Sequence, residues 1–155
     1  MPKRTLSKRS ATKALKQELR AELLDSAASL SRNEAQWLYR AYTTAQQERI
    51  RMQHRLRHAS SPSSVATFIL DSLKLLEQEI EHTLDIFTLG HPIGKVVRQV
   101  KGLGPVITAG LLAFVDLEKA QNPSALWRYA GLDPTIEWKK GQKRPYNAEL
   151  KKLTA

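Results

Sequence analysis

The chain has no cysteine. Disulfides and thiolate metal sites are therefore excluded, and nothing asks for an oxidising compartment. Long apolar runs are missing too. The longest, Val106 to Val115, is broken by Thr108 and Gly110 and falls far short of a membrane span of roughly 20 residues. The basic start "MPKRTLSKRS" is followed by no apolar signal-peptide core. A cytoplasmic protein with no membrane partner is the expectation. Acidic residues are few, 15 against 25 Lys and Arg, so the formal net charge is +10. That excess points to a polyanionic partner, nucleic acid first.

The charge is unevenly spread: +8 over residues 1–60, −4 over 61–90 and +6 over 91–155. Two basic blocks thus flank an acidic one. Residues 1–31 read as a basic tail and an N-terminal helix, the helix carried by Leu15, Leu19, Leu23 and Leu30. "SRNE" (31–34) has the form of a capping box and starts a second helix that runs to about His58. Trp37, Leu38, Ala41, Tyr42 and Ala45 give this helix its apolar stripe, and its later half is strongly basic.

"ASSPSS" (59–64) is a turn by composition. A third helix follows to Leu89, with Ile69, Leu73, Leu76, Ile80, Thr83 and Phe87 at heptad spacing. Residues 32–89 are therefore expected to form an antiparallel coiled-coil hairpin. Glu77, Glu79, Glu81 and Asp85 are read as its acidic face, set near the basic half of the second helix in exposed pairs worth roughly 0–1 kcal/mol each.

"GHPIG" (90–94) reads as a helix break, and 93–155 as a second unit. Its expected parts are a short helix to Val100, a tight hairpin at 101–104 and a helix from Pro105 to Val115. Asn122, Pro123 and Gly131 then mark the cap, first position and end of another helix. A basic loop or small β-hairpin around Lys140-Gly141 comes next, and Asn147 caps a last short helix. That helix stops after barely two turns, so a C-terminally truncated domain is expected. The fold class is all-α: a coiled-coil hairpin followed by a helix-hairpin-helix domain.

The stretch "VKGLGPVITAGLL" (100–112) carries the functional reading. Glycines at 102 and 104 let the chain reverse in two or three residues, with Leu103 pinned between the helices. Pro105 suits a first helical position. With no Cβ in the way, amide N–H groups at the positive end of the second helix suit a phosphate, and Lys101 adds a full charge. Such a grip reads backbone rather than base sequence. A P-loop is excluded because no Lys-Ser/Thr pair closes the motif. A dinucleotide fingerprint needs a third glycine where Ile107 stands.

"VKGLGPVITAGLLAFV", then "NPSALWRYAGLDPT", then a glycine-containing basic stretch, resembles the C-terminal domain of bacterial insertion-sequence transposases of the "one-ten" type. The resemblance covers about Val96 to Leu153 and rests on the hairpin, Tyr129-Ala130-Gly131-Leu132 and Pro134. It implies DNA as partner, in transposition or recombination, with a guide RNA as a further candidate. The family's RNase-H-like domain has no counterpart in residues 1–60, which hold five acids and no alternating strand pattern. The family's nucleophilic serine is absent: Trp138 or Lys139 stands where it would fall, and Thr135 comes too early. The expectation is a chain that keeps the grip without the cutting chemistry, with no catalytic residue, cofactor or metal.

Lys101, Gly102, Leu103 and Gly104 are thus the candidate grip, with Lys139, Lys140, Lys143 and Arg144 as a second contact. Arg51 and Arg55, with Arg49 and Arg57, form a basic helix face able to meet phosphates. His54 and His58 have a zinc-compatible spacing, but "HRLRH" lacks the carboxylate of a metalloprotease helix. Trp127 and Tyr129 are read as core. Trp138 is read either as a stacking platform for bases or as the anchor of its turn. A homodimer through the coiled coil is a further expectation. Two other readings stay open at this point: a recombinase subunit completed by other chains, and a coiled-coil adaptor for an acidic protein.

Overall fold

A computed structural model describes residues 21–154, apart from 23 and 62. The basic tail and most of the expected N-terminal helix lie outside the described residues; residues 24–27 are helical. No strand occurs among the described residues, and the chain is all-helical.

Helix α1 spans Arg32–Arg57 and opens with the expected capping box. The Ser31 N–H donates to the Glu34 carboxylate at 2.8 Å, and the Glu34 N–H donates back to the Ser31 hydroxyl. The Ser31 hydroxyl donates to the same carboxylate at 2.6 Å, and with the Ser31 N–H it holds the Glu34 carboxyl below its ordinary range. Helix α2 spans Ser64–Gly90, capped by the Ser63 hydroxyl on the Ala66 N–H. Gln46 and Arg49 of α1 reach Glu77 of α2, while Ala28, just before α1, lies against Gly90 at the far end of α2. The two helices therefore run antiparallel.

The buried faces differ from those expected. α1 buries Ala35, Tyr39, Tyr42 and Ala45, whereas Trp37 is 67% exposed. α2 buries Glu77, Leu84 and Phe87, whereas Ile69 and Leu76 are 43% and 50% exposed. The reason is Glu77. It occupies an inward position of the 3–4 spacing that also includes Leu73, Ile80 and Leu84. Assigning every charge to the outside moves the seam one residue toward Ile69 and Leu76. Here a glutamate is taken in because Arg49 and Gln46 satisfy both its oxygens.

Helix α3 spans Pro92–Val97 and α4 spans Pro105–Phe114. Gly94, expected as part of a helix break, is buried inside α3. A Cβ there would lie 2.1 Å from the Thr88 carbonyl oxygen, so the missing side chain is what lets α3 press on the end of α2. The last carbonyls of α4 are capped from α1: Arg32 Nε and Gln36 Nε2 each donate to the Ala113 oxygen at 2.9 Å. Helix α5 spans Pro123–Ala130, with the Asn122 side chain on the Ala125 N–H and Gly131 left-handed at φ 70°. Helix α6 spans Ala148–Thr154. Asn147 Oδ1 accepts from the Glu149 and Leu150 amides, the cap read from the sequence.

One core joins these parts. Tyr39, Leu84 and Phe87 of the first helix pair share a buried cluster with Ala109, Phe114, Ala130 and Leu150 of α4 to α6. Tyr129 packs at its margin. Trp127, expected inside, is 61% exposed. Only Ala130 of α5 is fully buried, since α5 lies on the cluster by its last turn.

Candidate nucleic-acid interface

The connection between α3 and α4 is short. The Val100 N–H bonds to Val97, and the Leu103 N–H bonds to the Val100 carbonyl at 3.1 Å. Gly102 sits at φ 95°, a left-handed conformation that glycine adopts without steric cost. Gly104 is the N-cap of α4 at φ −70°, and Pro105 is its first residue. Nothing lies within 4 Å of a Cβ built on Gly102 or Gly104. The backbone is thus open to an outside group at both glycines.

The Gly104 N–H bonds to the Gly102 oxygen at 3.2 Å. Among the described residues, the amides of Lys101, Gly102, Val106 and Ile107 have no acceptor. Two of these are helix N-terminal donors, which α-helical geometry leaves without an intrahelical partner. Lys101 is exposed beside them, and Leu103 is half-buried.

Arg98 holds this turn in place, a role the sequence reading missed. Its Nη2 donates to Asp85 of α2 at 2.8 Å, and its Nη1 to the Leu103 carbonyl at 3.4 Å. Asp85, read as part of an acidic face, is one end of a clamp from α2 to this turn. The Thr108 hydroxyl reaches the same carbonyl at 3.5 Å. Arg98→Met keeps the stem and removes both bonds, a net loss of about 1.5 kcal/mol because the Asp85 pair is partly exposed and the Leu103 bond is long. Amide exchange at Leu103 and Gly104 is expected to speed up about tenfold, with the core amides of α1 unchanged, as hydrogen-exchange NMR would show.

The second expected contact is a separate turn. Lys139, Lys140, Lys143 and Arg144 are all exposed on a loop that is neither strand nor helix. The Trp138 indole N–H donates to the Gln142 carbonyl at 2.8 Å, Gly141 takes φ 96°, and the Arg144 guanidinium lies 5.3 Å from the Trp138 ring centroid. Trp138 is therefore the anchor of its turn, with one face already covered by Arg144. Thr135 gives its hydroxyl proton to Asp133 at 2.6 Å, and Arg128 joins the same carboxylate at 3.0 Å. The Thr135 bonds, then Arg128, hold the Asp133 carboxyl below its ordinary range.

The basic residues stand on three separate elements: Arg51 and Arg55 on α1, Lys101 in the turn between α3 and α4, and Lys139 to Arg144 on the later loop. Arg51 and Arg55 lie in the half of α1 remote from α4, and Arg51 is paired with Glu48. Arg49, read as part of that face, points inward to Glu77. No group of three metal-ligating side chains occurs among the described residues. No helix among them is long and apolar enough to cross a membrane. Compared with family models, curated proteins and solved structures, the chain finds no match in any of the three.

Proposed function

We propose that this protein binds nucleic acid through the phosphate backbone, with DNA as the partner, in a transposase-like role in recombination. The observation that carries the reading is the open turn. Two glycines with free space above them, four unengaged amides and the exposed Lys101 lie within residues 101–107, at the start of α4. In this reading α3, the turn and α4 form a helix-hairpin-helix, and α1 and α2 form the coiled-coil hairpin. The 139–144 turn and the Arg51–Arg55 face are further contacts along an extended strand or a guide RNA. The resemblance over Val96 to Leu153 supports the recombination context. Binding is the role proposed, because neither Trp138 nor Lys139 supplies the nucleophile that cutting requires.

The test is fluorescence anisotropy with a DNA duplex, a single strand and an RNA hairpin across a salt series. A shared log–log slope equal to roughly 4–8 contacts, at about −0.9 per duplex contact, is expected. Gly104→Val is the discriminating variant. Its backbone angle suits any residue and its Cβ meets nothing, so the fold bears only the loss of a glycine cap, within about 1 kcal/mol. Yet the branched side chain fills the space a phosphate would take. Affinity is expected to fall at least tenfold, about 1.4 kcal/mol, with helix content unchanged. No binding at low salt, or full binding by the variant, overturns the reading.

A further inference from the structure

Gly94 of α3 is buried against the end of α2. The side of α3 turned from it is apolar and uncovered. Ile93 is 50% exposed, Val96 65% and Val100 55%. They stand three and four residues apart, the spacing of one helix face. The amides of Arg98, Gln99 and Val100 bond to the carbonyls of Gly94, Val96 and Val97, so the winding continues past the end of α3. The stripe is about 10 Å long. It stops at the glycine turn, where the Leu103 N–H donates to the Val100 carbonyl.

Its surroundings carry one sign of charge. No acidic residue stands between Asp85 and Asp116, and Asp85 is bonded to Arg98. The exposed polar side chains of 92–101 are Lys95, Gln99 and Lys101. Three apolar side chains are too few to hold a protein partner, since a stable interface takes roughly 800 Å² and 20–30 residues from each side. A strip of this size suits a ligand held mainly by something else. The turn it runs into is the proposed phosphate grip.

We propose that this stripe seats the sugars next to the gripped phosphate and selects deoxyribose over ribose. The inference rests on the grip proposed above. Every backbone phosphate lies between two sugars, and the stripe has the length of roughly three nucleotides of rise. Deoxyribose offers C–H groups to Val100 and Val96. Ribose offers a 2′-hydroxyl, the group by which proteins tell RNA from DNA. Branched hydrocarbon side chains give that hydroxyl no partner, so covering it removes its water with nothing in exchange. Gln99 leaves the winding about 100° from Val100 and stands outside the stripe. Lys95 adds a second charge along the same strand.

Fluorescence anisotropy of the full chain with oligodeoxyuridylate and oligouridylate of equal length tests this, because the two differ only in the 2′-hydroxyl. The deoxy strand is expected to bind at least about tenfold more tightly, with the same salt slope because the phosphates are shared. A 2′-fluoro strand, ribose-like in shape but without the O–H, is expected within about threefold of the deoxy strand. Val96→Thr with Val100→Thr keeps the side-chain shape at two exposed positions and supplies hydroxyl partners. Far-UV circular dichroism should be unchanged, and the deoxy preference should fall below about threefold. Gly104→Val should weaken both strands alike and leave the preference intact. Equal binding of the two strands by the parent chain overturns this inference and leaves the grip standing. So does a fluoro strand that behaves as ribose, or a double variant that keeps the full preference. No binding of either strand at low salt overturns the grip and the stripe together.

Discussion

Phe114→Ala is expected to lower the stability of the whole chain by about 3–5 kcal/mol, the range for truncating a buried phenylalanine. Phe114 is 2% exposed at the end of α4. The Tyr39 ring of α1 meets it edge-on, with centroids 5.3 Å apart and planes at 81°. The Arg40 guanidinium lies 5.7 Å from its centroid. Removing the ring leaves a cavity, strips Tyr39 of its aromatic partner and loosens the seat of α4 on α1. Against a total of about 5–15 kcal/mol, this is a large fraction.

The shape of the transition matters as much as its size. Phe114 belongs to the segment read from the sequence as a second unit, while Tyr39, Leu84 and Phe87 belong to the first, and all four share one cluster. Urea unfolding is therefore expected as a single transition. Far-UV circular dichroism, dominated by α1 and α2, and tryptophan fluorescence should both shift by the same amount in the variant. Separated midpoints, with only one displaced, would show two independently stable units. Phe114→Leu, which keeps most of the volume, should cost under about 1.5 kcal/mol.

What the sequence discloses, and what it hides, divides by range. Ser31 with Glu34, Asn122 before Pro123, Gly131 and Asn147 all act within four residues of where they stand. Each does in the structure what its local chemistry suggests. Gly102 is legible for the same reason, since a positive φ in a tight turn is a property of the residue itself. Glu77, Trp37 and Trp127 are not. Which side of a helix is covered depends on elements far along the chain. In this molecule a buried carboxylate and two exposed tryptophans reverse the usual assignment. The Asp85–Arg98–Leu103 clamp is hidden in the same way: it links α2 to a turn through an arginine whose neighbours are unremarkable. Gly94 looks like a helix breaker because its use is the absence of an atom, felt only when the Thr88 carbonyl is brought against it.

Glu77→Ala is expected to cost about 2–4 kcal/mol, discounted from the roughly 3–5 kcal/mol for breaking a fully buried pair because Arg49 keeps some solvent. The side chains of Glu77 and Arg49 are 10% and 23% exposed. Arg49 Nη2 donates to Glu77 Oε1 at 3.2 Å, its Nε to Oε2, and Gln46 adds a bond to Oε1 at 3.2 Å. Without the carboxylate, a largely covered guanidinium has only Gln53 left as an acceptor. Glu77→Leu should do less harm than Glu77→Ala, because leucine extends the apolar seam between Leu73, Ile80 and Leu84. The pair's use is then registration: one heptad of slip between α1 and α2 would bury Glu77 away from Arg49.

Acid separates these terms. The Arg49 hydrogen bond, opposed by burial and aided by Gln46, holds the Glu77 carboxyl below its ordinary range. A folded-state value below the unfolded one, about 4.3, contributes stability that is complete above the unfolded value. That contribution is lost as pH falls through the folded value. Urea midpoints of the parent chain and Glu77→Leu should therefore differ by a constant amount near neutrality. Below about pH 4.5 the parent should lose ground on the leucine variant. Parallel acid profiles for the two chains would mean that the Arg49–Glu77 pair contributes nothing to the packing of α1 on α2.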